Sequence, residues 1–167
     1  DWSRTRAYAM GLGQIYFNLR GREGQGTVRP GAEYVALADE IAAKLKADLI
    51  DPDTKQRIVR SVYKRDDVYR GEYIGESADL QVGFEEGYRV SWQTCLGASP
   101  PGIVYPNMKK WSGDHGGFDY LTTAGILITN KPLGAEAPRI IDIAPTVLKF
   151  FGVAVPNTID GKPLFKN

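Results

Sequence analysis

The chain has 167 residues, 43% of them hydrophobic, and 21 Lys and Arg side chains balance 20 Asp and Glu side chains to a net charge of +1. This length and composition suit one compact domain with a sizeable core. The near-zero charge argues against a nucleic-acid polymer as partner, and the sequence has no apolar stretch that approaches a membrane span. A single cysteine, Cys95, excludes an internal disulfide framework.

The first half of the chain alternates between strand and helix patterns. Residues 14–19 (QIYFNL) are aromatic and β-branched, and they predict a strand. The glycine- and arginine-rich stretch 20–31 predicts a loop. Over 32–49, apolar side chains recur at spacings of three and four, which predicts an amphipathic helix. Residues 57–63 alternate between apolar and polar side chains and predict a half-buried strand.

Short strands and one longer helix are predicted in the second half. Residues 78–84 and 88–92 predict two strands, the second at the periphery because its polar alternation implies one wet face. The continuous apolar run AGILIT (124–129) predicts a strand covered on both faces, as in a parallel sheet. A further helix is predicted over 142–151, with Asp142 as its cap and Gly152 at its end. Together these elements predict an α/β fold whose longer helices pack on a sheet.

The only histidine of the chain, His115, lies in the glycine-dense stretch GDHGGFD (113–119). Imidazole is the commonest metal ligand in proteins, and a neighbouring carboxylate such as Asp114 or Asp119 can orient it. Glycines on both sides let the ring project without backbone strain. One histidine does not complete a metal site. The residues alone therefore leave two readings open, a metal ligand and an ordinary loop histidine.

The closing segment DIAPTVLKFFGVAVPNTIDGKPLF (142–165) resembles the end of the alkaline phosphatase superfamily, which includes sulfatases and nucleotide pyrophosphatase/phosphodiesterases. Members close with a D-x-x-P-T-x-L helix, a G-V-x-x-P turn and D-G-x-x-L. Upstream they carry a histidine in an H-G-x-x-D-like loop, followed by a strand. GDHGGFDYLTTAGILITN (113–130) matches that order, and residues 1–26 resemble bacterial phosphodiesterase-like members of the superfamily.

This resemblance implies a place in a larger enzyme. Residues 1–167 would be a single domain, the C-terminal part of a phosphodiesterase-like catalytic domain with an αβα layered fold and a small peripheral strand subregion. The expected partners are the missing N-terminal portion and a small phosphate ester. The nucleophile and most metal ligands would belong to that N-terminal portion, so no catalytic residue is assigned in this chain, and the chain alone is expected to be inactive.

The resemblance also implies a cofactor, two divalent metal ions that are usually zinc. They would activate a Ser or Thr nucleophile and neutralise charge on the transferred group. His115 corresponds to the last histidine of the family, which binds the second metal, and Asp114 would orient it rather than bind the metal. In this chain alone no bound metal is expected, because one imidazole binds zinc weakly.

Arg20 and Arg22 flank the start of GREGQG (21–26), and their guanidinium groups could hold a substrate phosphate in bidentate fashion. The stretch is neither a G-x-G-x-x-G nor a Walker sequence, and a solvated connection is the alternative. Two function classes stay open, the phosphodiesterase or phosphatase part described above and a non-catalytic accessory or binding module of the same structural lineage. A sulfatase-like hydrolase is the alternative within the enzyme class.

Overall fold

The computed structural model of the chain describes residues 1–98, 101–110 and 119–165. Two compact units are present, Asp1–Ala124 and Gly125–Asn167. Helices and an antiparallel sheet occur together, so the predicted mixture of α and β structure is confirmed. The layered arrangement and the single domain within a longer enzyme stay predictions.

The first unit is built on a four-stranded sheet in which every neighbouring pair of strands is antiparallel. Its strands are β1 (Ala7–Ala9), β2 (Gln14–Phe17), β3 (Val59–Lys64) and β4 (Leu80–Phe84), in the spatial order β1-β2-β4-β3. The strands predicted at 14–19, 57–63 and 78–84 are confirmed. Antiparallel pairing suits their alternating patterns, because one face of such a sheet can meet water.

Helix α1 (Ala32–Asp48) packs on this sheet and confirms the helix predicted over 32–49. The core between them holds apolar side chains from α1, from β2 and β4, and from the loop before the helix. Its buried members are Phe17, Val28, Leu37, Ala38 and Leu80. Each of the larger apolar side chains removed from water in this way contributes about 1.5–3 kcal/mol to the stability of the unit, and Ala38 contributes less.

The prediction of a peripheral strand over 88–92 is wrong. Residues 88–91 have no regular structure, and the helical turn α3 (Trp92–Cys95) begins directly after them. Ser91 caps that turn, because its Oγ accepts a hydrogen bond from the backbone N–H of Gln93 at 3.2 Å. Tyr88 is held through its side chain, whose hydroxyl donates to Asp51 Oδ2 at 2.6 Å. Side-chain bonding therefore replaces strand pairing in this segment.

The prediction of a buried strand over 124–129 is also wrong for the described residues. The segment has no regular structure, and the side chains of Ile126 and Ile128 are 88% and 90% exposed. A covered strand needs neighbours that pair its N–H and C=O groups and layers that shield both of its faces. The described part of the chain supplies neither pairing strands nor shielding layers to this segment. Its apolar side chains therefore remain exposed to water.

The second unit is organised around α4 (Ile143–Phe150), which follows a 3₁₀ turn at Ile140–Asp142. Gly152 ends the helix with a φ of 70°, as predicted. Its N–H donates to Lys149 O at 3.0 Å, and the N–H of Val153 donates to Leu148 O at 2.9 Å. These two bonds form a Schellman motif, which favours glycine because of the left-handed backbone.

Helix α4 does not pack on a sheet within its own unit, so that part of the prediction is wrong for the described residues. Its apolar side chains Val147, Phe150 and Phe151 are exposed. The described residues of the unit contain one isolated bridge, between Leu133 and Phe165, and no longer strand. The buried side of the helix consists instead of Pro145 and Thr146.

Candidate functional site

His115 and Asp114 lie outside the described residues, and their predicted roles stay predictions. The next described residue, Asp119, is 1% exposed. Its Oδ2 accepts a hydrogen bond from the Tyr63 hydroxyl at 2.8 Å, and its Oδ1 accepts one from the Leu121 N–H at 2.8 Å. The residue four positions after His115 is therefore anchored against strand β3.

The backbone of Asp119 is also hydrogen-bonded, and its carboxylate contacts strand β4. Its carbonyl oxygen accepts hydrogen bonds from the N–H groups and the hydroxyls of Thr122 and Thr123, at 2.8–3.1 Å. The carboxylate lies directly against Gly83, where any Cβ would overlap it, so this close approach requires glycine. The carboxylate is engaged by these partners, and the predicted electrostatic support of His115 by Asp119 stays a prediction.

Tyr63 is suited to hold this carboxylate over a wide pH range. Burial, together with the hydrogen bond to Asp119, raises the pKa of Tyr63 to about 12, although a hydrogen bond from Ser61 acts in the opposite direction. The phenol therefore keeps its proton near neutral pH and donates it to the carboxylate. Such a neutral donor fixes Asp119 without placing a second charge beside it.

Arg22 belongs to a buried network rather than to an open anion site. Its Nη2 and Nη1 donate to Asp79 Oδ2 and Oδ1 at 2.6 and 3.1 Å. Its Nε donates to Glu23 Oε1 at 2.8 Å, and Nη2 also donates to Phe17 O at 2.8 Å. Arg20 is exposed and is not part of this network. The substrate-binding role of Arg20 and Arg22 stays a prediction, and the contacts of Arg22 favour a structural role for it.

Asp79 is the centre of that network and is completely buried. Besides Arg22, it accepts hydrogen bonds from the Phe17 N–H at 2.6 Å, the Tyr34 hydroxyl at 3.0 Å and Arg65 Nη1 at 3.4 Å. Burial and the Asp79 carboxylate raise the pKa of Tyr34, so its hydroxyl stays a donor. The buried carboxylate is thus paired with cations and neutral donors, which is the condition for tolerating a charge in a core.

Two side chains of the closing motif hold the chain end against the start of α4. Asp142 Oδ1 accepts from the Lys162 N–H and Oδ2 from the Arg139 N–H, both at 2.9 Å. Thr146 Oγ1 accepts from the Leu164 N–H at 2.9 Å. The carboxylate of Asp142 makes no hydrogen bond that caps α4, which corrects the predicted cap. The D-x-x-P-T spacing instead places these two side chains where they bind the D-G-K-P-L tail.

Metal-binding geometry is not formed by the described residues on their own. Over residues 1–98, 101–110 and 119–165, no group of three or more His, Cys, Asp or Glu side chains could hold a metal ion. The buried carboxylates Asp79, Asp119 and Asp142 accept hydrogen bonds from protein donors instead. The described residues therefore do not form the two-metal centre by themselves, and the centre that the resemblance implies stays a prediction.

A cleft of about 880 Å³ in the first unit was not predicted from the sequence. The turn at 51–56 lines one part of it, and much of its remaining lining comes from residues between 84 and 109. Its aromatic side chains are Phe84, Tyr88, Trp92 and Tyr105. The clustering of these rings within a short stretch of sequence is the signal that could have indicated the cleft.

Asp51, at the edge of this cleft, should make the stability of the chain fall with acid. Hydrogen bonds from Tyr88 and from the backbone N–H groups of Thr54 and Asp53 lower the pKa of Asp51 to about 2. An unfolded aspartate titrates near 3.9, so the stabilisation is present above about pH 4 and is lost as the pH falls toward 2. We expect the urea midpoint of wild type to drop more steeply than that of Asp51→Asn over this window.

The exposed neighbour Asp53 provides the matched control for this measurement. Asp53→Asn removes a carboxylate from the same turn but leaves the hydrogen bonds to the Asp51 side chain in place. We expect its acid profile to follow wild type. Parallel profiles for wild type and Asp51→Asn between pH 4 and 2 would contradict the assigned stabilisation.

Comparison of the chain with models of known protein families, with curated proteins and with solved structures finds no match in any of the three. Among the described residues, no helix is both long and apolar enough to cross a membrane.

Proposed function

We propose that this chain is the C-terminal part of a metal-dependent phosphoric ester hydrolase of the alkaline phosphatase superfamily, similar to type I phosphodiesterases and nucleotide pyrophosphatases. In that enzyme His115 binds the metal that faces the leaving group. The observation that carries the proposal is the order of GDHGGFD (113–119), the apolar run 124–129 and the closing motif 142–165. A small phosphate ester is the substrate class.

The described contacts support a fixed base for such a ligand. Asp119 is buried and hydrogen-bonded just after the histidine loop. Asp142 and Thr146 bind the tail and so make the closing motif a rigid piece of structure. Metal ligands need supporting residues of this kind to hold their geometry.

The roles of the loop residues follow from their chemistry. When bound, the two metal ions lower the pKa of the nucleophile and neutralise charge on the transferred group. His115 would hold its metal through a ring nitrogen, and Asp114 would orient the imidazole. The flanking glycines let the ring approach its metal closely. The remaining ligands and the nucleophile come from the N-terminal portion of the parent.

That N-terminal portion is the proposed partner of the exposed apolar segment. Ile126 and Ile128 are in solvent, and residues 124–128 make no backbone–backbone hydrogen bond to the described part of the chain. In the proposed enzyme the N-terminal portion covers this segment and completes the αβα layered fold.

Two alternatives remain distinct from this proposal. A non-catalytic accessory or binding module is favoured by the aromatic cleft, which needs no metal to bind a ligand. A sulfatase-like hydrolase would share the closing motif but would act on sulfate esters. Both are separable from the phosphodiesterase by activity measurements on the full-length parent.

The test compares this chain with its full-length parent in the presence of zinc. We expect the parent to hydrolyse bis(4-nitrophenyl) phosphate in a chelator-sensitive reaction. The chain alone is expected to match a buffer control that contains the same zinc, because it lacks the nucleophile and most ligands. Release of nitrophenol, followed by absorbance, measures both rates.

Three other outcomes of this test would contradict the proposal or favour one of the alternatives. Chelator-sensitive turnover by the isolated chain would contradict its assignment as a part without the nucleophile. A parent that hydrolyses neither phosphate nor sulfate esters would overturn the enzyme proposal in favour of the accessory module. A parent active on 4-nitrophenyl sulfate alone would favour the sulfatase-like alternative.

A further inference from the structure

The geometry points to a binding site for a planar aromatic group in the cleft lined by Phe84, Tyr88, Trp92 and Tyr105. We propose that its ligand is an uncharged, planar aromatic ring. In the parent enzyme this ring would be the organic group of the phosphate ester, an assignment that rests on the proposed function. The volume of about 880 Å³ lies within the range of small-molecule sites.

The aromatic walls of the cleft are held in position by hydrogen bonds. Tyr88 Oη donates to Asp51 Oδ2 at 2.6 Å. Tyr105 Oη donates to Ser91 Oγ at 2.7 Å, and Ser91 in turn caps the turn that carries Trp92. Rings that are fixed before binding lose little conformational entropy when a ligand arrives. They can then offer offset or edge-to-face contacts to a flat ligand.

Trp92 is in contact with a cation that also lines the cleft. The Arg89 guanidinium carbon lies 5.8 Å from the Trp92 ring centroid. A cation over an indole face restricts the ring. The apolar part of the lining completes the surface that a ring would cover, and it includes Leu49, Ile58, Val90, Ile103 and Val104.

The polar lining favours a neutral ligand. Asp51 accepts the Asp53 and Thr54 N–H groups on Oδ1 and the Tyr88 hydroxyl on Oδ2. The Thr54 side chain also hydrogen-bonds to this carboxylate, so four donors of the protein meet its acceptor capacity. The acidic residues Asp51, Asp53 and Glu86 also line the cleft and offset Arg89 and Lys109, which disfavours a phosphate inside it.

The cleft lies beside both flanks of the histidine stretch. Lys109, which precedes residues 111–118, lines the cleft. Asp119, which follows them, lies against Gly83, next to the cleft residue Phe84. An ester whose ring occupies the cleft would hold its phosphate outside the ring site.

The test measures binding of two matched neutral amides to the 167-residue chain by NMR titration. Benzamide is flat and aromatic, whereas cyclohexanecarboxamide has the same amide on a saturated ring. We expect benzamide to bind about two- to tenfold more tightly, because ring–ring contacts add to simple burial. Its largest shifts should fall on residues 84–92 and 101–106.

Variants locate the site. Trp92→Ala and Tyr105→Ala should each weaken benzamide binding about two- to tenfold, and Trp92→Phe should retain most of it. Tyr73→Ala is the matched control, because Tyr73 is a highly exposed aromatic residue that does not line the cleft. Thermal unfolding of each variant shows whether the variant is folded. If Trp92→Ala does not fold, Tyr105→Ala still tests the site, because Tyr105 lies in a loop.

Equal binding of the two amides, or unchanged benzamide binding in folded Tyr105→Ala and Trp92→Ala, would overturn the aromatic site. The measurement uses no phosphate, metal or turnover, so this failure leaves the proposed hydrolase standing. Conversely, an inactive parent whose isolated chain still binds benzamide as described would refute the hydrolase and retain the cleft as a binding site.

Discussion

Replacing His115 with alanine in the full-length parent is expected to remove one metal equivalent and to lower phosphodiester turnover roughly a hundredfold or more. The imidazole is the only histidine ligand that this chain could contribute. In the proposed enzyme, its loss would leave one metal site short of a ligand, and that metal would supply less charge neutralisation to the leaving group. Elemental analysis of the dialysed protein gives the metal content, and initial rates give the turnover.

The fold of that variant should be intact, because the contacts of Asp119 do not depend on the imidazole. Lys110→Ala is the matched control, since Lys110 is exposed and precedes the same stretch. We expect Lys110→Ala to keep both metal equivalents and near-normal turnover. An unchanged metal content and rate in His115→Ala would remove His115 from the proposed centre.

Replacing Asp79 with alanine is expected to lower the free energy of unfolding by about 3–5 kcal/mol. The change leaves two guanidinium groups, Arg22 and Arg65, without their buried anion. It also removes the acceptor of the Phe17 N–H and of the Tyr34 hydroxyl. Stability of small proteins is only about 5–15 kcal/mol, so this variant should be close to unfolding at 25 °C. Urea denaturation followed by circular dichroism measures the difference.

An exposed ion pair of the same unit supplies the comparison. Asp39 pairs with Lys64 at the surface, where their side chains are 60% and 41% exposed. Asp39→Ala should therefore change the free energy of unfolding by no more than about 1 kcal/mol. If Asp79→Ala fell in that same range, the buried network would not be the stabilising element that its geometry indicates.

Local patterns predicted those elements that find their packing partners within the first unit. The spacing of three and four over 32–49 marked the face that α1 buries through Leu37 and Ala38. The alternation at 57–63 and 78–84 marked strands with one covered face. The left-handed glycine at 152 was also predictable, because helix ends favour glycine for a local reason.

Other features depend on residues far apart in the chain, which local patterns do not encode. Arg22 and Asp79 are separated by 57 positions, so nothing near Arg22 indicated that Asp79 engages its guanidinium. The run 124–129 shows the reverse case. The apolar composition predicts that other residues shield this segment from water. It does not identify those residues. The aromatic cleft likewise depends on a turn and a later segment that meet only in the folded chain.

The exposed run at 124–129 also has a consequence for how the chain behaves in a test tube. It contains no charge and no proline, and its isoleucines are open to solvent. Segments of this composition stack readily with copies of themselves into cross-β aggregates. The following residues, Lys131 and Pro132, oppose such stacking because charge and proline interrupt strand growth. Purification of this chain should therefore be most sensitive to protein concentration, and removal of the Lys131 charge should make precipitation faster.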